Sequence, residues 1–525
     1  MLKKSFTNYC VSLFCMLSIR KNMKTKLLIF ITILSGVLSA QALYSRNDKQ
    51  ICKTRLPESI NAFQPAILPV LTVDGKLLFF DRKLHHENIG GTNDLDDIWY
   101  SEYSSETSFT KPKNLGKKYN TKESNVLFSI TPDGTALIYG TKQSENNYSL
   151  AEIDGNEFDN FISIKIDNYY NTAHNFFAYL SGDRQTLLLA LKRKDSRGKL
   201  DIYVSFRKGD SYVFSEPRNL GKTINTKQTE SSPFLAYDNK TLYFSTNGRK
   251  GFGGKDLYMT RRLDDTWQNW TEPVNLGTPI NTEKDDNGIC LTALGDSAIV
   301  TSWDKQTMRE GMYFVCLPLD LQPEPYIIVA GNVTARNMIL SNFDNVDIEV
   351  SNDKNNHKEH YKPRFGNKFY CLLPNDVFSP IIVRKKGFDE FGFAVNSRNL
   401  IAPKFVYYNA SLSKTQKDKI VIGKIYFNYN DEHLNTKARK QIEQAMEKII
   451  EPDEEQVYVI GHTDTKGSEE YNFELSRKRA ESVKAALLKY GFKSGNVIVL
   501  YKGESEPVSE TDEKNRRVEI ILIDN

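Results

Sequence analysis

Two side chains of opposite charge stand out near the C-terminus. Asp464 closes the run Gly461-His462-Thr463-Asp464, and Arg479 sits in Leu475-Ser476-x-x-Arg479-Ala480-x-x-Val483. A fixed carboxylate beside a planar guanidinium with five donors complements a group that carries an ammonium next to a carboxylate. Asp464 would take the ammonium and Arg479 the carboxylate. Each charge-assisted bond contributes about 1.5 to 3 kcal/mol, so two or three of them give about millimolar to micromolar affinity after the costs of association. That is recognition chemistry. No Ser/His/Asp, Cys/His or paired-carboxylate arrangement for bond cleavage stands out in the chain.

Such a pair works only if the surrounding elements hold it. From Ile420 the apolar pattern alternates between strand and helix. Ile420 to Phe427 reads as a strand, and Leu434, Ala438, Ile442, Ala445, Met446 and Ile449 share one helical face. Val457 to Gly461 reads as a second strand. Leu475, Val483, Ala486, Leu487 and Tyr490 define a second helix that stops at Gly491, and strands follow at Val497 to Tyr501 and Val518 to Ile523. The order β-α-β-α-β-β predicts two helices layered on one sheet. Arg479 lies four residues from both Leu475 and Val483, so it points inward and needs a partner. Asp464 lies just beyond the C-terminal end of a strand, where open sheets place ligands.

The run Gly461-His462-Thr463-Asp464-x-x-Gly467-x-x-x-Tyr471-Asn472-x-x-Leu475-Ser476-x-x-Arg479-Ala480, followed by Gly503-Glu504-Ser505-x-Pro507 and Asn515-Arg516-Arg517-Val518-Glu519-Ile520, resembles the OmpA-like C-terminal domain shared with Pal lipoproteins and flagellar stator proteins. The resemblance implies an α+β domain over residues 413–525 that binds peptidoglycan non-covalently, Asp464 and Arg479 holding the diaminopimelate of the stem peptide. It implies that Thr463, Asn472 and Leu475 border the pocket, although Asn472 serves equally well as the cap of the second helix. In Phe427-Asn428-Tyr429-Asn430 the family usually has an acidic residue at the last position, so Asn430 keeps an acceptor and loses a charge. The segment between Pro507 and Asn515 is shortened relative to the family. Of Arg516 and Arg517, the second is the better candidate for pocket support.

The first half of the chain repeats itself. Phe109…Pro112…Asn114-Leu115-Gly116…Tyr119-Asn120-Thr121 recurs as Phe214…Pro217…Asn219-Leu220-Gly221…Ile224-Asn225-Thr226 and as Trp270…Pro273…Asn275-Leu276-Gly277…Ile280-Asn281-Thr282. Turns with apolar strands follow at Asp74-Gly75, Asp133-Gly134, Asp183 and Asp238-Asn239, and Asp-Gly or Asp-Asn supplies the positive φ of a hairpin. Taking Asn61, Asn120, Asn171, Asn225 and Asn281 as unit openings gives five units of roughly 50 to 60 residues, each with about four strands. These phrases, with Gly253-Gly254-Lys255-Asp256-Leu257-Tyr258, resemble TolB-like propeller repeats of Bacteroidetes envelope proteins. The second unit, Phe161 to Thr172, lacks the Pro and Leu-Gly steps, so a blade count of five or six is expected. The resemblance implies a scaffold over 43–322 that presents loops to an outer-membrane or periplasmic protein, and it supplies no catalytic residue.

Pro323-Glu324-Pro325 breaks the pattern. The strands beyond it, Tyr326 to Val333, Val346 to Val350, Lys368 to Leu373 and Ile381 to Lys385, resemble a carboxypeptidase-regulatory β-sandwich over 323–412, which implies a spacer.

Composition frames the whole. The 525 residues are 39% hydrophobic, 11% aromatic and 26% charged, ordinary for a multidomain globular protein. The net charge of +4 is misleading, because Lys3, Lys4, Arg20, Lys21, Lys24 and Lys26 all precede residue 43, and the remainder carries about −2. That leaves no basic footprint for nucleic acid or anionic lipid. Residues 1–42 read as an export leader: Met23 to Lys26, an apolar run from Leu27, and cleavage after Ala42, with no Cys at the cleavage point. Cys52, Cys290, Cys316 and Cys371 would then meet an oxidising compartment, where three full pairings are open. The Gly-rich stretch from Gly248 leads into a strand and reads as a turn, not a phosphate loop. His85-His86 and His357-x-x-His360 lack a third ligand, so no metal and no cofactor is expected. The reading is a non-enzymatic periplasmic adaptor on the wall and outer membrane, arranged like the PorE-like wall anchors of type IX secretion. The alternative is a wall-anchored enzyme acting on glycans or peptides through the propeller.

Overall fold

The strand-forming phrases of the first half pair locally into hairpins. The computed structural model describes residues 52–523 apart from 62–65, 106–107, 142–147, 210, 337–342, 344, 355–357, 365–366, 415–418, 450–451 and 454, so the leader over 1–42 and His357 lie outside the described residues. Among the described residues, five antiparallel sheets precede Pro323. Their first three strands are Ala66–Leu71, Leu77–Arg82 and Asp97–Ser105; Val126–Ile130, Thr135–Tyr139 and Tyr148–Asp154; Phe177–Leu180, Thr186–Leu191 and Asp201–Phe206; Glu230–Leu235, Thr241–Thr246 and Asp256–Arg261; and Asn287–Leu291, Ser297–Asp304 and Arg309–Cys316. The first strand of each sheet packs on the first strand of the next, and that of the fifth packs on that of the first. Their apolar side chains meet around a small central cavity of about 40 Å³ lined by Val70, Ile130, Tyr179, Phe234 and Ile289.

The repeated Asn explains the repeat. Asn225 Oδ1 accepts from the Ile202 N–H (2.8 Å) and its Nδ2 donates to the Ile202 carbonyl (2.9 Å), satisfying both backbone groups of a buried strand residue. Asn120 does the same for Ile98, and Asn281 for Leu257. The Asn therefore closes the sheet before it instead of opening a new unit. Asn61 grips Met312 in this way (2.7 and 2.8 Å), while Lys53–Arg55 pairs with Arg309–Cys316 as the fourth strand of the fifth sheet. A disulfide between Cys52 and Cys316 fastens that junction, and Cys290 and Cys371 are free and buried. Asn171 makes no such grip; it bonds to Ala173, Asn175 and Lys192. That is the physical meaning of the degenerate second unit.

Residues 327–412 build two further sheets around one core that includes Val329, Ile348, Phe369, Cys371 and Ile381. Ile327–Ala335 carries Lys368–Leu373, Lys404–Tyr407 and Ala410–Leu412, and Val346–Ser351 carries Lys358–Tyr361 and, through Phe378–Lys385, Phe391–Asn396. This layer sits against the hairpin turns of the five sheets. Tyr326 donates to the Ala293 carbonyl (2.9 Å), Glu324 N–H to Asp238 (2.8 Å), and Ile328 and Leu372 pack with Tyr237.

The C-terminal segment supplies the helices. Strand β1 (Lys419–Tyr426), helix α1 (Thr436–Met446), β2 (Gln456–Gly461), α2 (Glu469–Lys489), β3 (Val497–Tyr501), the short α3 (Asp512–Asn515) and β4 (Arg517–Ile523) form a sheet of order β1-β4-β2-β3. Only β2 and β3 are parallel. Asn435 caps α1 and Ser468 caps α2, each accepting from an N–H of the first turn. Ala438, Ile442, Ala445, Ala480, Val483 and Leu487 press one face of each helix onto Ile425, Val457, Val459, Val518 and Ile520. The opposite face of the sheet carries Tyr458, Leu500 and Ile521. Residues 51–525 cluster as one compact unit.

Candidate functional site

The close approach of α2 to the end of β2 builds the site. A Cβ on Gly461 would collide with the Ser476 carbonyl, so glycine there lets the helix lie directly on the strand end. Arg479, one turn beyond Leu475 on the same inward face, is thereby fully buried. Its Nε donates to the Asp431 carbonyl (2.9 Å), Nη1 to that of His462 (3.2 Å) and Nη2 to that of Asn428 (3.0 Å), and the guanidinium lies 5.3 Å from the centre of the Phe427 ring. Three backbone carbonyls hold the fork, and two of its five donors stay uncommitted. Burial lowers its pKa to about 10, Asp464 opposing and Arg516 reinforcing the shift, so it stays charged at neutral pH.

Asp464 is 3% exposed, and its Oδ2 accepts from Arg516 Nη1 at 2.9 Å. The partner of Asp464 is thus Arg516, and Arg517 does not fill the supporting role expected of it. Arg517 pairs with Glu519 (2.8 Å) and donates to the Glu506 carbonyl (3.3 Å). Strand parity explains the difference: Val518 and Ile520 face the helices, so Arg517 and Glu519 face away, whereas Arg516 precedes the strand and can turn to the helix side. Arg479 and Arg516 face the carboxylates of Asp464 and Asp431, so the charges at this corner are balanced.

The remaining expected residues gather at the same place. Thr463 is buried, anchored by its N–H to the Gly503 carbonyl (2.8 Å), and its hydroxyl has no partner among the described residues. Asn472 is also buried; Ser468 is the cap of α2, so Asn472 is free of that role. Its Nδ2 donates to Glu504 and its Oδ1 has no partner among the described residues. Leu475 is buried one turn before Arg479. Asn430, in the left-handed region at φ +53°, accepts a hydrogen bond from the Tyr471 hydroxyl, and Tyr429 is exposed with Lys466 Nζ 5.8 Å from its ring centre. These contacts lie across the mouth of the site. Tyr471 and Glu504 stood in the motif phrases of the sequence, but nothing in their spacing singled them out, and Arg516 was ranked behind Arg517. Asn515 closes the loop behind, accepting from Val508 and Ser509 N–H groups. Thr463 Oγ1 and Asn472 Oδ1, both buried and without a partner among the described residues, belong to the strand-end loop and the helix that carry Asp464 and Arg479.

Residues 426–520 match the model of the OmpA family. The chain is 30% identical over 119 residues to the peptidoglycan-associated lipoprotein of Buchnera aphidicola subsp. Baizongia pistaciae, covering 22% of this chain and 66% of that protein. It is 36% identical over 105 residues to the outer-membrane lipoprotein YfiB of Pseudomonas aeruginosa, covering 19% and 62%. The chain thus spans less than two thirds of the length of these relatives. The crystal structure of the peptidoglycan-associated lipoprotein from Burkholderia pseudomallei aligns at 24% identity over 19% of this chain and 90% of that one, with a TM-score of 0.18. The C-terminal segment that carries Asp464 and Arg479 is an OmpA-like domain.

Proposed function

We propose that this chain is a non-enzymatic anchor of the cell envelope whose OmpA-like domain binds peptidoglycan without a covalent bond, holding the diaminopimelate of a stem peptide. The observation that carries the reading is the buried corner in which Arg479 keeps two donors free beside Asp464 and the unpaired Thr463 Oγ1 and Asn472 Oδ1. The ligand carboxylate goes to Arg479, whose two uncommitted donors can receive it. The ammonium goes to Asp464 and the two neutral acceptors. Because Asp464 and Arg479 are buried, entry requires the Tyr471–Asn430 contact to swing aside. Wall relatives support the reading: one of them is named for its association with peptidoglycan.

The five sheets are read as a five-bladed TolB-like propeller over 43–322, supported by the cyclic packing of their first strands and the closure of the fifth sheet by Lys53–Arg55. Residues 323–412 are read as a carboxypeptidase-regulatory-like connector and 413–525 as the wall-binding part. The apolar axis offers about 40 Å³, too little for a substrate, which favours a scaffold that holds another envelope protein on its outer loops, in the manner of PorE-like anchors of type IX secretion. A periplasmic setting follows from the wall ligand and suits the disulfide.

Sedimentation with purified sacculi tests the central claim. The full chain should co-sediment, and the free tripeptide L-Ala-γ-D-Glu-meso-diaminopimelate should release it. The double variant Asp464→Ala/Arg479→Ala should lose at least tenfold in retention. Equal retention of the variant and the unmodified chain would overturn the reading.

A further inference from the structure

On the far side of Tyr471 from Arg479 a second concavity opens. A cleft of about 630 Å³ runs between α2 and the strand Phe391–Asn396, with Tyr408, Tyr471 and Tyr501 presented to it. Tyr408 is 39% exposed, with one face covered by the parallel ring of Phe393 (centroids 4.6 Å apart). Tyr501 is held by the edge of Phe473 at 5.0 Å. These rings are fixed before any ligand arrives, so little side-chain freedom is lost on binding. Rings with hydroxyl tips suit a ligand that has an apolar face and a polar rim. The cleft also has charged and amide groups: Arg477, paired with Glu474, and Asn396, which donates to Glu470 at 2.8 Å. A purely apolar occupant would strand those groups, whereas a pyranose ring offers C–H faces to the aromatics and hydroxyls to the rim.

We propose that this cleft binds the glycan strand of the wall, a sugar ring stacking on Tyr408 while the attached stem peptide occupies the Asp464–Arg479 pocket. The inference rests on the stem-peptide reading above and adds a second subsite, built in part by residues 378–408. Tyr471 is the shared wall: its ring lines the cleft, its hydroxyl bonds Asn430 at the mouth of the pocket, and it lies within Coulombic reach of Arg479. The covalent chemistry of peptidoglycan fits this adjacency. Two residues separate diaminopimelate from the muramyl sugar, so the sugar reaches on the order of 10 Å from the pocket when the stem is extended. A cleft one side chain away from the pocket is where that sugar would land.

Calorimetry on the full chain separates the two subsites. The disaccharide-tripeptide, N-acetylglucosaminyl-N-acetylmuramyl-L-Ala-γ-D-Glu-meso-diaminopimelate, should bind about tenfold more tightly than the free tripeptide. Tyr408→Ala should abolish that gain and leave tripeptide affinity unchanged, whereas Tyr408→Phe, which keeps the ring, should preserve it. Saturation-transfer NMR on the unmodified chain, which needs no variant to fold, should show transfer from aromatic protons to the sugar ring. Equal affinity for the two ligands, a gain that survives in Tyr408→Ala, or transfer confined to peptide protons would overturn the glycan subsite while leaving the stem-peptide reading standing. Failure to bind either ligand would sink both.

Discussion

His462 places an imidazole where no proton is welcome. It is 2% exposed, neither ring nitrogen has a partner among the described residues, and burial followed by the Arg517 charge pushes its pKa down to about 4. His85, packed edge-on to Trp99, is lowered to about 4 by burial and by Arg82. Both pKa values lie below the unfolded value near 6.5, so the unfolded chain takes up protons before the folded one does. Stability is therefore full above about pH 6.5 and falls as pH drops toward 4, by up to about 3 kcal/mol for His462. Denaturant titrations of His462→Asn between pH 4 and 7 should show a shallower pH slope than the unmodified chain, His85 supplying what remains. At this scale the sequence was informative about identity and less so about partners. The inward burial of Arg479 could be read from its helical face, and the position of Asp464 beyond a strand end from the apolar run before it. The choice of Arg516 over Arg517 depended on strand parity, which Val518 and Ile520 already encode, but it also required knowing that Arg516 stands one residue outside the strand.

Among the elements, the asparagine grips separate intact from degenerate repeats. Asn225→Ala would leave the buried N–H of Ile202 without its partner, while the C=O keeps the Leu220 N–H, a loss of about 1 to 3 kcal/mol. Asn171→Ala removes only half-exposed contacts and should cost less than about 1 kcal/mol. Urea unfolding of the two variants checks the contrast; equal losses would refute the structural account of the repeat. The recurrence of Asn-Leu-Gly and Ile-Asn-Thr was legible because an amide is needed to satisfy one donor and one acceptor together. Which sheet each Asn serves was not legible, since the grip reaches back across a unit boundary. The three-residue strand Lys53–Arg55 is too short to show a period, and Lys404–Tyr407 is too exposed to show alternation.

For the molecule as a whole, the Cys52–Cys316 bridge closes a loop with a sequence separation of 264. Chain-entropy reasoning assigns such a crosslink about 5 kcal/mol at most, and native removals cost about 2 to 5 kcal/mol. Cys52→Ser/Cys316→Ser should unfold at lower denaturant, with the loss largest for the five-sheet body and small for the OmpA-like domain, as read by hydrogen exchange. The break before the second β-rich segment was legible in Pro323-Glu324-Pro325, and the onset of the α+β segment in the change of apolar period from Ile420. The docking of residues 327–412 on the hairpin turns was hidden, because Tyr326, Ile328 and Leu372 look like ordinary strand residues until their neighbours are known.

The seam where Lys53–Arg55 lies beside Arg309–Cys316 also sets an order of events during biogenesis. A chain synthesised from its amino end presents Lys53–Arg55 first, and the pairing edge must wait for the strand Arg309–Cys316, a sequence separation of 264 between the two cysteines. Until then the ring of five sheets is open, with an unsatisfied ladder at the Arg309–Cys316 edge. The disulfide therefore forms late, and refolding of the reduced chain should show Cys52 reduced until the fifth sheet has formed.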